Sequence, residues 1–165
     1  MKGAFSTIGV VDTYHYANTQ DDAGYTANLS VAYDFNVAKV FLAGQYFKDM
    51  RYLGKAAIND TVSGAAVFGN STAKDGWGIN LGATAPAFGG KFYAAVGYMD
   101  ADHSDDTAGK LKRYTVSLGY DYSLSKRTLV YAGAGYMHDK YDDFAATTVG
   151  SAYNYGVTAG LVHKF

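Results

Sequence analysis

The sequence predicts an all-β protein, an antiparallel up-and-down transmembrane β-barrel with eight strands in this chain and a single domain over residues 1–165. Three observations predict it. The first is composition: 16 Tyr and 20 Gly, with Asp as the only acidic residue type. Tyr favours strands, Gly favours turns and close backbone contacts, and Asp favours turns and caps where Glu would favour helix interiors. The second is a period-2 alternation of apolar and polar residues over segments of about ten residues. The third is that the polar positions are mostly Thr, Ser, Asn and Gly, while aromatics gather at the two ends of the apolar faces.

The first segment, 4–16, alternates poorly and its faces are not assigned. The second is the clearest: Tyr25, Ala27, Leu29, Val31, Tyr33 and Phe35 share one face, and Thr26, Asn28, Ser30, Ala32 and Asp34 the other. Segment 38–48 is weaker. Next, Trp77, Ile79, Leu81, Ala83 and Ala85 oppose Gly78, Asn80, Gly82 and Thr84. Segment 91–100 follows, also weaker. Then Tyr114, Val116, Leu118, Tyr120 and Tyr122 oppose Arg113, Thr115, Ser117, Gly119 and Asp121. After the weaker 127–138, the chain ends with Tyr153, Tyr155, Val157, Ala159, Leu161, His163 and Phe165 opposing Asn154, Gly156, Thr158, Gly160, Val162 and Lys164.

Short connections (36–37, 86–90, 123–126) alternate with long polar ones (17–23, 49–75, 101–110, 139–152), so every tight turn lies at one end of the sheet. The single Pro is expected in a tight turn, where its missing N–H breaks no ladder. The 49–75 connection contains the apolar stretch Ala65, Ala66, Val67 and Phe68, read as a further hairpin or packed loop ahead of a lumen plug.

A soluble eight-stranded barrel of the lipocalin type would carry charge outside and large apolar side chains inside. Only 18% of this chain is charged, and much of that lies in the long connections. A membrane barrel inverts the pattern, with apolar residues towards lipid, polar or small ones towards the lumen, and aromatic girdles at both interfaces. Phe35, Phe92, Tyr120, Tyr122 and Phe165 form one such row, and Tyr25, Tyr46, Tyr98, Tyr114, Tyr136 and Tyr153 the other. Closure is expected, because an open edge in hydrocarbon leaves backbone groups unpaired. The first residues have no apolar h-region of useful length, so an outer-membrane protein of this kind would already have lost its leader.

The inward register nominates Asn28, Asp34, Lys39, Asn80, Arg113, Asp121, Thr158 and Lys164 as pore-lining candidates. Their charged members read either as an ion-selecting lining or as charges that reach water at strand ends. Many other inward positions are small, among them Ser30, Ala32, Gly78, Gly82, Gly97, Gly119, Gly156 and Gly160. Side chains fill a closed eight-stranded barrel, so small inward residues suit a wider, wetter one.

No catalytic, cofactor or metal site is expected. The four His have no metal-ligand spacing, there is no Cys, and the Asp clusters read as solvated loop charge ahead of a divalent-cation site. A triad of His138, Asp139 and a loop Ser has no support in spacing. A net charge of −1 offers nothing to nucleic acid.

The last strand, Tyr155-Gly-Val-Thr-Ala-Gly-Leu-Val-His-Lys-Phe165, resembles the C-terminal strand of Gram-negative general porins, and its Gly160-Leu-Val-His-Lys-Phe165 ending resembles the β-proteobacterial type. Leu118-Gly-Tyr-Asp-Tyr-Ser-Leu-Ser-Lys-Arg-Thr128 followed by Val130-Tyr-Ala-Gly133 resembles the penultimate hairpin of that family, and Tyr33-Asp-Phe-Asn-Val-Ala-Lys-Val40 another of its tight hairpins. The resemblance implies an outer-membrane location and passive diffusion of small hydrophilic solutes or ions through a water-filled lumen. That family has sixteen strands in about twice this length, and this chain is similar to its C-terminal eight. Its constriction loop is therefore not carried over, and Val162 stands where the family often has Arg. Two alternatives follow: a non-conducting half-porin fragment or engineered small barrel that serves as a membrane scaffold, and, more remotely, a rim-site lipid-modifying enzyme. The expected partners are outer-membrane lipid or detergent, with lipopolysaccharide and a second copy of the chain as further ones.

Overall fold

The computed structural model describes residues 3–14, 24–49, 73–103, 109–142 and 150–165. They form eight strands: β1 (Ala4–Tyr14), β2 (Gly24–Asp34), β3 (Lys39–Lys48), β4 (Ala73–Ala87), β5 (Gly90–His103), β6 (Gly109–Ser123), β7 (Thr128–Asp142) and β8 (Gly150–His163). All lie in one sheet, in chain order, each antiparallel to the next. No helix among the described residues is long and apolar enough to cross a membrane. The apolar 65–68 stretch lies outside the described residues.

Register sorts the side chains, because directly paired residues share a face. One face carries the row Leu29, Gly44, Ile79, Tyr98 and Tyr114, and next to it Val31, Leu42, Leu81, Val96 and Val116. Its large apolar residues are exposed, Leu29 by 59% and Leu118 by 50%. The buried side chains, Thr26, Phe47, Ala101, Leu111, Arg113 and Asp139, all lie on the other face. That face is concave, since residues from β2 to β6 line one cavity on it. The protein is thus apolar on its convex side and polar on its concave side, as the inverted pattern requires.

Aromatic rings at the long-connection end of the convex face meet in one pair and one longer run. Tyr25 meets Tyr46 at 6.0 Å between centroids, Trp77 meets Tyr98 at 5.5 Å, and Tyr98 meets Tyr114 at 5.1 Å. His138 continues the belt, 6.4 Å from Tyr114 and 6.5 Å from Tyr136. Four residues along β6 from Leu118 in either direction stand Tyr114 and Tyr122, one in each row.

The structure corrects three expectations. Pro86 is not in the turn but in β4, opposite Lys91. Pairing of β4 with β3 stops at Thr84, so at Pro86 one side of the strand has no ladder to break. The turn proper is Phe88-Gly89, with φ of 49° and 78°, the left-handed pair of a two-residue hairpin. Strands also run further into the long connections than alternation suggested, and β7 takes in Asp139. Finally, closure is expected, but among the described residues β1 and β8 are not paired with one another, so the eight-stranded sheet, consistent with a barrel, has two unjoined edges. In β1, Phe5 and Val11 fall on the convex side, Ile8 and Val10 on the concave side. Apolar residues on both faces explain its poor alternation.

Several concave-face glycines serve an aromatic neighbour. Gly82, Gly76 and Gly160 lie directly across from Phe41, Phe47 and Tyr131, and a β-carbon at any of the three would run into that ring. These glycines therefore seat a ring as well as thinning the lumen.

Candidate functional site

The concave face of β2 to β6 holds a cavity of about 250 Å³. Alternation places its polar lining: Asn28 and Ser30 from β2, Gln45 from β3, Asn80 from β4, Arg113 and Thr115 from β6. Gly78 and Gly97 keep the wall low between them, and Met99 lies beside Arg113 in the register. Asn28 Nδ2 reaches Thr26 Oγ1 at 3.5 Å. Apart from Arg113 the polar side chains of the lining are thus amides and hydroxyls, set among small and apolar groups, and they bind water and polar solutes without fixing an ion.

At the long-connection end of the cavity, Arg113 stands directly opposite Asp139. Its Nε donates to Asp139 Oδ1 and its second guanidinium nitrogen to Oδ2, both at 2.7 Å. Arg113 is 8% exposed and Asp139 1%, so this two-pronged ion pair is strong as well as directional. A second polar group lies by the short turns. Tyr93 donates its hydroxyl to Asp121 Oδ2 at 2.5 Å, and Lys91 Nζ sits 5.1 Å from the Tyr93 ring centre.

Of the eight candidates read from the sequence, the structure brings Asn28, Asn80 and Arg113 together in the one cavity. Asp34 and Lys39 are paired across β2 and β3 at the short-turn rim, where Asp34 Oδ1 accepts the Asn36 amide at 2.7 Å. Asp121 belongs to the Tyr93 group. Thr158 lies in an adjoining depression over β6 to β8 that shares Thr115 with the first and includes Gly133, Gly135 and Gly156. Lys164 lies beyond the end of β8, its amide bonded to the Arg127 carbonyl at 2.9 Å. Gln45, Thr115 and Asp139 were missed. The first two share the inward parity of the residues that were named. Alternation places Asp139 in a connection, and only its register with Arg113 reveals its place in β7.

His138 and Asp139 point to opposite faces of β7, which removes the imagined triad; His138 lies on the face of Tyr114 and Tyr153, Asp139 on that of Arg113. Among the described residues, no group of three His, Cys or acidic side chains is placed to hold a metal ion.

A convex apolar face bounded by aromatics, with a polar concave face, is the pattern of a membrane-barrel wall. A family model described as Gram-negative porin matches residues 3–143. The chain belongs to the Gram-negative porin family. No curated protein and no solved structure matches the sequence. Membership makes the porin's strands transmembrane strands, and its convex face the lipid-facing one. It also favours a channel over an enzyme. The porin-like ending at 155–165 lies beyond the matched residues.

Proposed function

We propose that this porin lines a water-filled path across the outer membrane, through which small hydrophilic solutes or ions diffuse passively. One observation carries the reading: the concave wall gathers amides and hydroxyls around an open cavity, while the residues that would make a soluble core are exposed on the other side. Diffusion then needs no reaction; the wall's work is to replace part of a solute's hydration while keeping water present. The Gly160–Phe165 ending supports placing it with the β-proteobacterial type. Purified folded protein in a planar bilayer should give stable ohmic conductance. Absence of any open level from protein with intact β-sheet circular dichroism would refute the channel.

A second reading is favoured by the unjoined edges of β1 and β8: the chain acts only as a membrane scaffold and does not conduct. The same bilayer measurement separates the two.

A further inference from the structure

The charged residues of the concave face form a pattern that composition does not disclose. Within the strands, the described inward charges are Asp12, Asp34, Lys39, Lys91, Arg113, Asp121 and Asp139. Six of the seven fall into three cross-strand couples of opposite sign: Asp34 with Lys39, Lys91 with Asp121, and Arg113 with Asp139. Residues directly opposite in an antiparallel pair have Cα atoms about 4.5–5.5 Å apart. Arg113 and Asp139 are joined in an ion pair, and the other two couples set opposite charges at adjacent positions of neighbouring strands, within the ~8 Å screening length at physiological salt, so each couple adds no net charge to the wall. Asp12, on edge strand β1, faces Thr26. Between the couples the lining is Asn28, Gln45, Asn80, Thr115 and similar uncharged groups.

We infer that this wall discriminates little by charge, that its substrate class is small uncharged polyhydroxylated solutes, and that Asp121 and Asp139 suppress the anion preference that Lys91 and Arg113 would otherwise impose. The inference rests on the channel reading above and deepens it. Amides and hydroxyls both donate and accept hydrogen bonds, which matches a solute whose surface is hydroxyl groups. A wall of isolated cations would hold anions at its surface. Here each cation stands opposite a carboxylate of the neighbouring strand, and Arg113 is joined to its own in an ion pair.

The test is ion selectivity. In a tenfold KCl gradient the full chain should show a cation-to-anion permeability ratio within about twofold of unity. Asp139→Asn bares Arg113. A unit charge seen from about 8 Å through water changes the local concentration of each ion roughly twofold in opposite directions when the KCl is about 10 mM or below, so there the ratio should move about fourfold towards anions. Asp121→Asn should move it the same way, and Lys39→Gln the opposite way; these two rim sites cover the case in which Asp139→Asn fails to fold. Arg113→Gln combined with Asp139→Asn restores neutrality and should return the ratio to the original value, which a merely structural pair would not do. In liposome swelling, a neutral pentose should enter at least as fast as a sugar acid of similar size. A strong native preference for either sign, or variants that leave the ratio unchanged, would overturn this inference while leaving the channel reading intact. Folded protein that never conducts would overturn both.

Discussion

Inversion of the sheet makes a sharp prediction at two adjacent residues of β6. Leu118 points outward, between Ala94 and Ala134 in the register; Ser117 points inward, between Ala95 and Gly135. Leu118 is also central in depth. Tyr114 and Tyr122 stand four residues away on either side, and at about 3.4 Å rise and roughly 45° tilt each lies about 10 Å from it along the membrane normal. Arg at Leu118 therefore sits near the bilayer midplane and should cost about 2–4 kcal/mol. Arg at Ser117 enters the aqueous side and should cost under about 1 kcal/mol, the usual range of an exposed substitution. Urea unfolding in lipid vesicles, followed by fluorescence of Trp77, the single tryptophan, would read both. Trp77 lies on the convex face within the outer belt, so its emission reports loss of the lipid environment. Equal costs at the two sites, or a larger cost at Ser117, would refute the assignment of faces and with it the channel wall.

Other predictions follow from single contacts. Asp139→Ala should cost about 3–5 kcal/mol by leaving a buried guanidinium without its carboxylate; Asp34→Ala, at the rim, should cost under about 1 kcal/mol. Both are measurable in the same urea titration. Phe88 holds φ of 49° with its side chain 96% exposed, so Phe88→Asn should stabilise by about 1 kcal/mol, because Asn tolerates that conformation far better and no packing is lost. An unchanged unfolding midpoint would contradict the strain at this turn. Gly82→Ala should cost about 1–3 kcal/mol by driving a methyl into the Phe41 ring. Adding Phe41→Ala should recover part of that loss, and strict additivity in the double-mutant cycle would deny the contact.

The strands were legible where they cross the membrane, because lipid and water on opposite sides impose a period of two. Tyr25–Tyr33 and Tyr114–Tyr122 are examples. Legibility ended at the belts. Asp100, Asp102, Lys110, Lys112, Asp139 and Lys140 continue β5, β6 and β7 in register, yet beyond the belt the convex face leaves lipid and no apolar–polar alternation is required of them. Pro86 was misplaced for a related reason: whether a strand tolerates Pro depends on where its neighbour stops, and the end of β3 pairing at Thr84 is not written in β4. The candidate site divides in the same way. Asn28, Asn80 and Arg113 follow from inward parity alone, while the Arg113–Asp139 pair depends on an alignment of two strands. The sheet's unjoined edges also bear on the small inward residues. Across a closed ring of eight strands opposing side chains would meet, whereas here, among the described residues, nothing lies within contact distance of the Gly156 β-position.

The ring-on-glycine pairs carry a consequence for how the chain finds its alignment. A slip of one residue between neighbouring strands exchanges their faces, and the bilayer rejects it at once. A slip of two residues is subtler, since every side chain keeps its proper solvent and partition between oil and water cannot detect the error. The Phe41–Gly82 and Tyr131–Gly160 pairs can detect it. A two-residue slip sets Phe41 against Asn80 or Thr84, and Tyr131 against Thr158 or Val162, each with a β-carbon where the ring must lie. These seats are address marks that remove the degeneracy the hydrophobic pattern leaves, legible only to a strand already in the membrane and correctly faced.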